Sequence, residues 1–129
     1  SGDRYMSKVY DKNLEKIASS LADAIKKSER CDIEGLFETT FDIATTKASL
    51  DLSLNSESIR KIAGDELIDE YLDELNILSG LLEEHVIPLF DDHCRCDKVA
   101  DYPLGNFHKN ELLDKLSKTK AYQRVIQKQ

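Results

Sequence analysis

The feature that most constrains this chain is the spacing of its apolar residues, which return every three or four positions through most of its length. In the first segment Tyr10, Leu14, Ile17, Leu21 and Ile25 stand four, three, four and four residues apart. That spacing lines one face of a helix and predicts one over residues 7–29, with Lys, Asp, Glu and Ser on its outer face. Asp32 is placed to cap a second helix over 33–49, because its carboxylate can accept from the free N–H groups of a first turn. Ile33, Leu36, Phe37, Thr40, Phe41 and Ala44 form the expected apolar stripe of that helix. Leu50-Asp51-Leu52-Ser53-Leu54 alternates with period two instead. A lone strand has no partner for its backbone, so the segment reads as an extended connector or a frayed helix end.

Further along, Asn55-Ser56 can cap a short helix with Ile59 and Ile62 in the core and Gly64 as its stop. Asp65 starts the longest helix, whose stripe is Ile68, Tyr71, Leu72, Leu75, Leu78, Leu82, His85 or Val86, and Leu89, until Pro88 ends or kinks it. Residues 91–108 hold Pro103, Gly105 and clustered polar groups and read as an irregular loop. A final helix over 110–127 places Leu112, Leu113, Leu116, Tyr122, Val125 and Ile126 on its apolar side. Four substantial stripes on mostly short connections are best buried against each other. The expected fold is therefore all-α, an antiparallel helical bundle of four to five helices with one short helix and an irregular loop before the last.

Residues 7–129 are expected to form one domain, which could be a piece of a larger protein. Ser1-Gly2 resemble the remnant of a removed tag, so residues 1–6 are expected to be such a remnant or disordered. A chain of 129 residues hides roughly two-thirds of its unfolded surface, enough for a core without disulfides or metal. Apolar runs as short as Ile77-Leu78 and Val86-Ile87 cannot span a membrane. The opening residues lack the series of a signal peptide, and three cysteines, Cys31, Cys94 and Cys96, are an odd number. A Cys94–Cys96 bridge would close a small, strained ring. Free thiols in a reducing, intracellular setting, cytoplasmic or nuclear, are the simplest expectation.

The net charge of −7 is unevenly distributed. Residues 1–64 carry a net −1, residues 65–97 a net −10 and residues 98–129 a net +4. On the long helix Asp65, Asp69 and Asp73 follow at four-residue steps, and Glu66, Glu70 and Glu74 lie one step round. Like charges at this spacing repel by a few tenths of a kcal/mol per pair. Three explanations compete: a solvated face, internal pairing with the basic last helix, or a docking surface for a basic segment of a partner. Tyr102, Leu104 and Phe107 add a loop with two rings and a leucine, either a lid on the bundle or an apolar anchor for a partner. Phe37, Phe41, Tyr71 and Phe90 are expected in the core.

The densest polar cluster spans residues 91–97. Its His93, Cys94 and Cys96 could bind zinc if Cys31 or His108 completed the set, but Cys-x-Cys is shorter than finger spacings and no second Cys/His pair follows. A di-iron bundle needs Glu-x-x-His, and no Glu stands three residues before any histidine. No Gly-x-Ser-x-Gly elbow and no glycine-rich phosphate loop is present. The acidic balance opposes a polyanion, which disfavours nucleic acid.

No cofactor and no enzymatic activity are expected. The expectation is a protein-interaction module, an adaptor or scaffold, that takes a basic or amphipathic partner segment through a helix groove and the acidic face. A small metal protein or enzyme using the Cys/His loop is the alternative, and a homodimer through the long helix is a second.

Overall fold

The apolar periodicity is realised as helix. The computed structural model describes the backbone of residues 2–93 and 103–129 and the side chains of residues 6–90 and 108–129. Among these residues there is no strand. The elements are α1 (Gly2–Glu29), α2 (Ile33–Leu54), α3 (Glu57–Ala63), α4 (Asp65–Leu81), a π-helical turn (Leu82–Val86), α5 (Pro88–His93), α6 (Pro103–Ser117) and α7 (Lys120–Gln127). The all-α class is the one expected, and α1 extends five residues earlier than its periodicity indicates.

α1 and α2 form an antiparallel pair. Tyr10 near the start of α1 shares a 2.7 Å hydrogen bond with Ser53 near the end of α2. The reversal is tight: the Asp32 N–H donates to the Lys27 carbonyl at 3.0 Å while Cys31 takes a left-handed φ of 55°. A residue in that conformation just past a helix end satisfies carbonyls the helix leaves open. Asp32 then caps α2 as expected, accepting from the Gly35 N–H at 2.9 Å. Gly35 makes this closure feasible, since a Cβ there would lie 2.3 Å from Asp32 Oδ2.

One contiguous apolar cluster joins the elements. Tyr10, Leu14, Ile17, Ala18, Leu21 and Ala24 of α1 meet Leu36, Ile43, Leu50 and Leu54 of α2 and Ile68, Tyr71, Leu75 and Leu78 of α4. Leu81, Leu82, Val86, Leu89, Leu112, Leu116 and Ala121 complete it. Tyr10 and Tyr71 stack with ring centroids 5.3 Å apart and planes tilted by 57°, a favoured aromatic geometry. The stripes expected for α1 and for the long helix are the buried faces.

Several expectations need correction or refinement. Of the two readings of Leu50–Leu54, the helix end holds and the extended connector does not: the segment is the last turn of α2, with Leu50 and Leu54 buried and Leu52 80% exposed. The two buried leucines are four residues apart, so a helical pair looked like strand alternation. α2 also turns in a different phase: its buried residues are Leu36, Thr39, Ile43, Leu50 and Leu54, while Ile33, Phe37 and Phe41 face out. Ile62, Leu113 and Ile126 are likewise exposed.

Pro88 opens a helix as well as interrupting one. Its ring would crowd the carbonyl of Glu84 and it has no N–H to give. The chain responds by widening: the Ile87 N–H donates to the Leu82 carbonyl at 3.0 Å, five residues back, and α5 begins at Pro88, where a missing N–H is harmless.

Finally, part of the expected loop is helical, in α5 and the start of α6, and the expected last helix is two. Thr119 breaks it, donating to the Leu116 carbonyl at 2.7 Å and accepting from the Tyr122 N–H as the cap of α7.

Candidate functional site

The basic C-terminal helices meet the acidic ones inside the molecule. Lys120 of α7 pairs with Glu70 of α4 at 3.3 Å, and Glu74 accepts from the Ala121 N–H at 2.8 Å, adding a second cap to the first turn of α7. A carboxylate there also meets the positive end of the helix dipole. Lys118 and Lys115 join Glu70, Asp73, Glu74 and Ile77 around a groove of about 350 Å³ between α4 and the C-terminal helices.

The rest of α7 lies against α1. Arg124 reaches Asp11 at 3.6 Å and Glu15 at 3.5 Å, and Lys128 also binds Glu15. Asp11 in turn accepts from the Tyr71 hydroxyl at 3.1 Å. Glu15 is buried, and these two cations compensate its carboxylate.

The six acids expected to receive a partner therefore divide. Asp65 and Asp69 both bind Arg60, each at 3.0 Å, and this pairing raises the Arg60 pKa. Glu70 and Glu74 hold α7. Glu66 and Asp73 make no ion pair among the described residues. The backbone of Leu104 and Phe107 is in α6, whereas their side chains, Tyr102 and the side chain of His93 lie outside the described residues, as do Cys94 and Cys96. Internal pairing, one of the three explanations for the charge gradient, accounts for much of it.

Cys31 is disulfide-bonded, its partner outside the described residues. This corrects the free-thiol expectation and removes Cys31 as a thiolate ligand in the zinc alternative. Among the described residues no group of three or more His, Cys, Asp or Glu is placed to hold a metal ion. His108, the other ligand considered, instead faces His85, with Nδ1 atoms 3.4 Å apart and ring centroids 5.6 Å apart.

Sequence reasoning placed His85 near the core but missed its partners. Lys115 Nζ lies 3.2 Å from His85 Nε2. An ammonium can only donate, so Nε2 accepts, Nδ1 carries the ring proton and His108 Nδ1 accepts it. Burial first, then the electrostatic effects of Lys115 and His108, lower the His85 pKa and favour the neutral ring.

The other feature missed is the outer face of α2. Phe37 is 63% exposed and Phe41 60%, with Ile33 beside them. At the N-terminal end of this row Ile33, Glu34, Phe37, Glu38 and Phe90 line a shallow depression of about 540 Å³. Ile43 carried the signal: it cannot share a narrow stripe with both Phe37 and Phe41, so α2 had to expose one apolar row.

No protein-family model, curated protein or solved structure matches the chain. No described helix is long and apolar enough to cross a membrane.

Proposed function

We propose that the domain is a protein-interaction module, an adaptor or scaffold element, that binds a basic or amphipathic segment of a partner protein. The observation that carries this reading is the outward row of Ile33, Phe37 and Phe41. Two phenylalanines more than half exposed on one rigid helix form an apolar patch of the kind that marks association surfaces. Aromatic side chains are favoured anchors because each buries a large area with few rotors. Glu66 and Asp73 of α4 remain available as a second, electrostatic contact.

Capture from native lysate tests the reading, with wild type beside a Phe37→Ser/Phe41→Ser variant and a Glu66→Lys/Asp73→Lys variant. A protein held by wild type and lost from the phenylalanine variant is expected. Identical captures by wild type and the phenylalanine variant would refute it. An intracellular setting, cytoplasmic or nuclear, goes with this proposal, and the Cys31 disulfide stands against it because cytosolic reductants keep thiols free. Thiol trapping in whole cells tests that part: a reduced Cys31 is expected in the intracellular setting, and an oxidised Cys31 assigns the protein to an oxidising compartment.

A further inference from the structure

The outer face of α2 is sided as well as apolar. Ile33, Phe37 and Phe41 form one ridge at four-residue steps, and Ala44, Ala48 and Leu52, also exposed, continue it along the helix. At 100° per residue these six positions fall within about 100° of arc, and the stripe from 33 to 52 is about 28 Å long. Glu34, Glu38 and Asp42 form the adjacent ridge, also exposed, and none makes an ion pair among the described residues.

We infer that this face receives a single amphipathic helix of a partner protein, its apolar ridge seated on Phe37 and Phe41 and its lysines or arginines against Glu34, Glu38 and Asp42. The inference rests on the interaction-module reading and adds the form, charge and seat of the occupant. Form follows from the backbone. The N–H and C=O groups within α2 are taken by its own hydrogen bonds, so an extended peptide finds no main-chain partners there, whereas a helix arrives with its backbone satisfied. Two surfaces built from four-residue ridges interlock at about −50°, the commonest crossing of globular helices.

Charge follows from the acidic ridge. Its three carboxylates repel one another at four-residue steps, and a cationic flank removes that repulsion while steering approach and fixing register. A second copy is a poorer occupant. An antiparallel pair of α2 helices centred on the two phenylalanines would set both acidic ridges on the same side, facing each other.

The test uses the full chain and three synthetic 20-residue peptides. Two share a leucine ridge and differ in flanks, lysine in one and glutamate in the other; the third is the lysine peptide with a central proline. Binding is read by fluorescence anisotropy and by amide shifts of labelled protein. The lysine peptide is expected to bind on α2, weaken as salt rises, and exceed both other peptides by about tenfold or more. Phe37→Ser/Phe41→Ser abolishes this binding, with circular dichroism verifying the fold. Glu34→Lys/Glu38→Lys/Asp42→Lys reverses the preference toward the glutamate peptide.

Equal affinity for the two flanks, binding of the proline peptide, shifts away from α2, or no binding at millimolar peptide overturns the inference. So does a wild-type dimer in sedimentation that the phenylalanine variant loses. These results leave the broader reading standing if lysate capture still depends on Phe37 and Phe41; capture indifferent to them removes that reading as well.

Discussion

The Glu74 carboxylate of α4 accepts the Ala121 N–H at 2.8 Å, so one helix caps another 47 residues away. Thr119 caps the same turn from within. α7 has only eight residues, too few to be stable alone, and its position depends on such terminal contacts. Glu74→Ala should therefore cost about 1–2 kcal/mol, in the range of a lost helix cap. Glu66→Ala, on the same helix with no ion pair among the described residues, should stay within about 0.5 kcal/mol. Urea denaturation of the two variants checks this, and equal costs would contradict the cap.

Glu15 is a second, deeper tie between α7 and the body. Its side chain is only 10% exposed and is held by Arg124 and Lys128. Removing one partner of a buried ion pair leaves the other desolvated and unpaired. Lys128 is mostly exposed and Arg124 keeps Asp11, so Glu15→Gln should destabilise by less than a fully buried pair would, about 1–2 kcal/mol. Arg124 carries a buried nitrogen, Nη2, without a hydrogen bond, although Asp11 lies within ion-pair distance. A double-mutant cycle pairing Glu15→Gln with Arg124→Met should show a coupling above the surface-pair range of about 0.2–1 kcal/mol.

These ties also explain what the sequence disclosed and what it withheld. α1 was legible because Tyr10, Leu14, Ile17 and Leu21 form one unambiguous stripe, and α4 for the same reason from Ile68 to Leu78. Local caps were legible too: Asp32 and Ser56 act within three residues of themselves. α2 was ambiguous because it carries two apolar rows, and only packing against α1 and α4 decides which is buried. The acidic row was visible, but its partners were not, since Glu70 and Lys120 are 50 residues apart. The same holds for His85 and Lys115, which are brought together only when α6 packs on the π-helical turn.

His85 makes stability depend on pH. Around the ring stand Lys115, His108 and Glu111 from α6 and Glu84 from its own turn; burial, then Lys115 and His108, lower its pKa, against a smaller opposing effect of the acids. In the unfolded chain the ring titrates near its ordinary value, about 6.5. Above that pH neither state binds the proton and the contribution is complete. As pH falls below it the unfolded state takes up the proton first, so stability declines until the lower folded pKa is reached. Thermal melting between pH 7.5 and 5.0 should show a falling midpoint that flattens in His85→Gln. A slope unchanged by that substitution would assign the dependence to other groups.

The phase of α2 decides where a partner can dock, and it makes two opposite demands on substitution. Ile43 is 1% exposed and packs into the common core, so Ile43→Ala should cost about 2–4 kcal/mol through lost burial and a residual cavity. Phe41 is 60% exposed, and Phe41→Ser should change stability by no more than about 0.5 kcal/mol despite removing a larger ring. A stripe running through Ile33, Phe37 and Phe41 would demand the reverse, with the phenylalanine costly and the isoleucine tolerated. Chemical denaturation of both variants separates the two phases directly. A tolerated Phe41→Ser is also what allows the phenylalanine variants to test binding without confusing a lost surface with a lost fold.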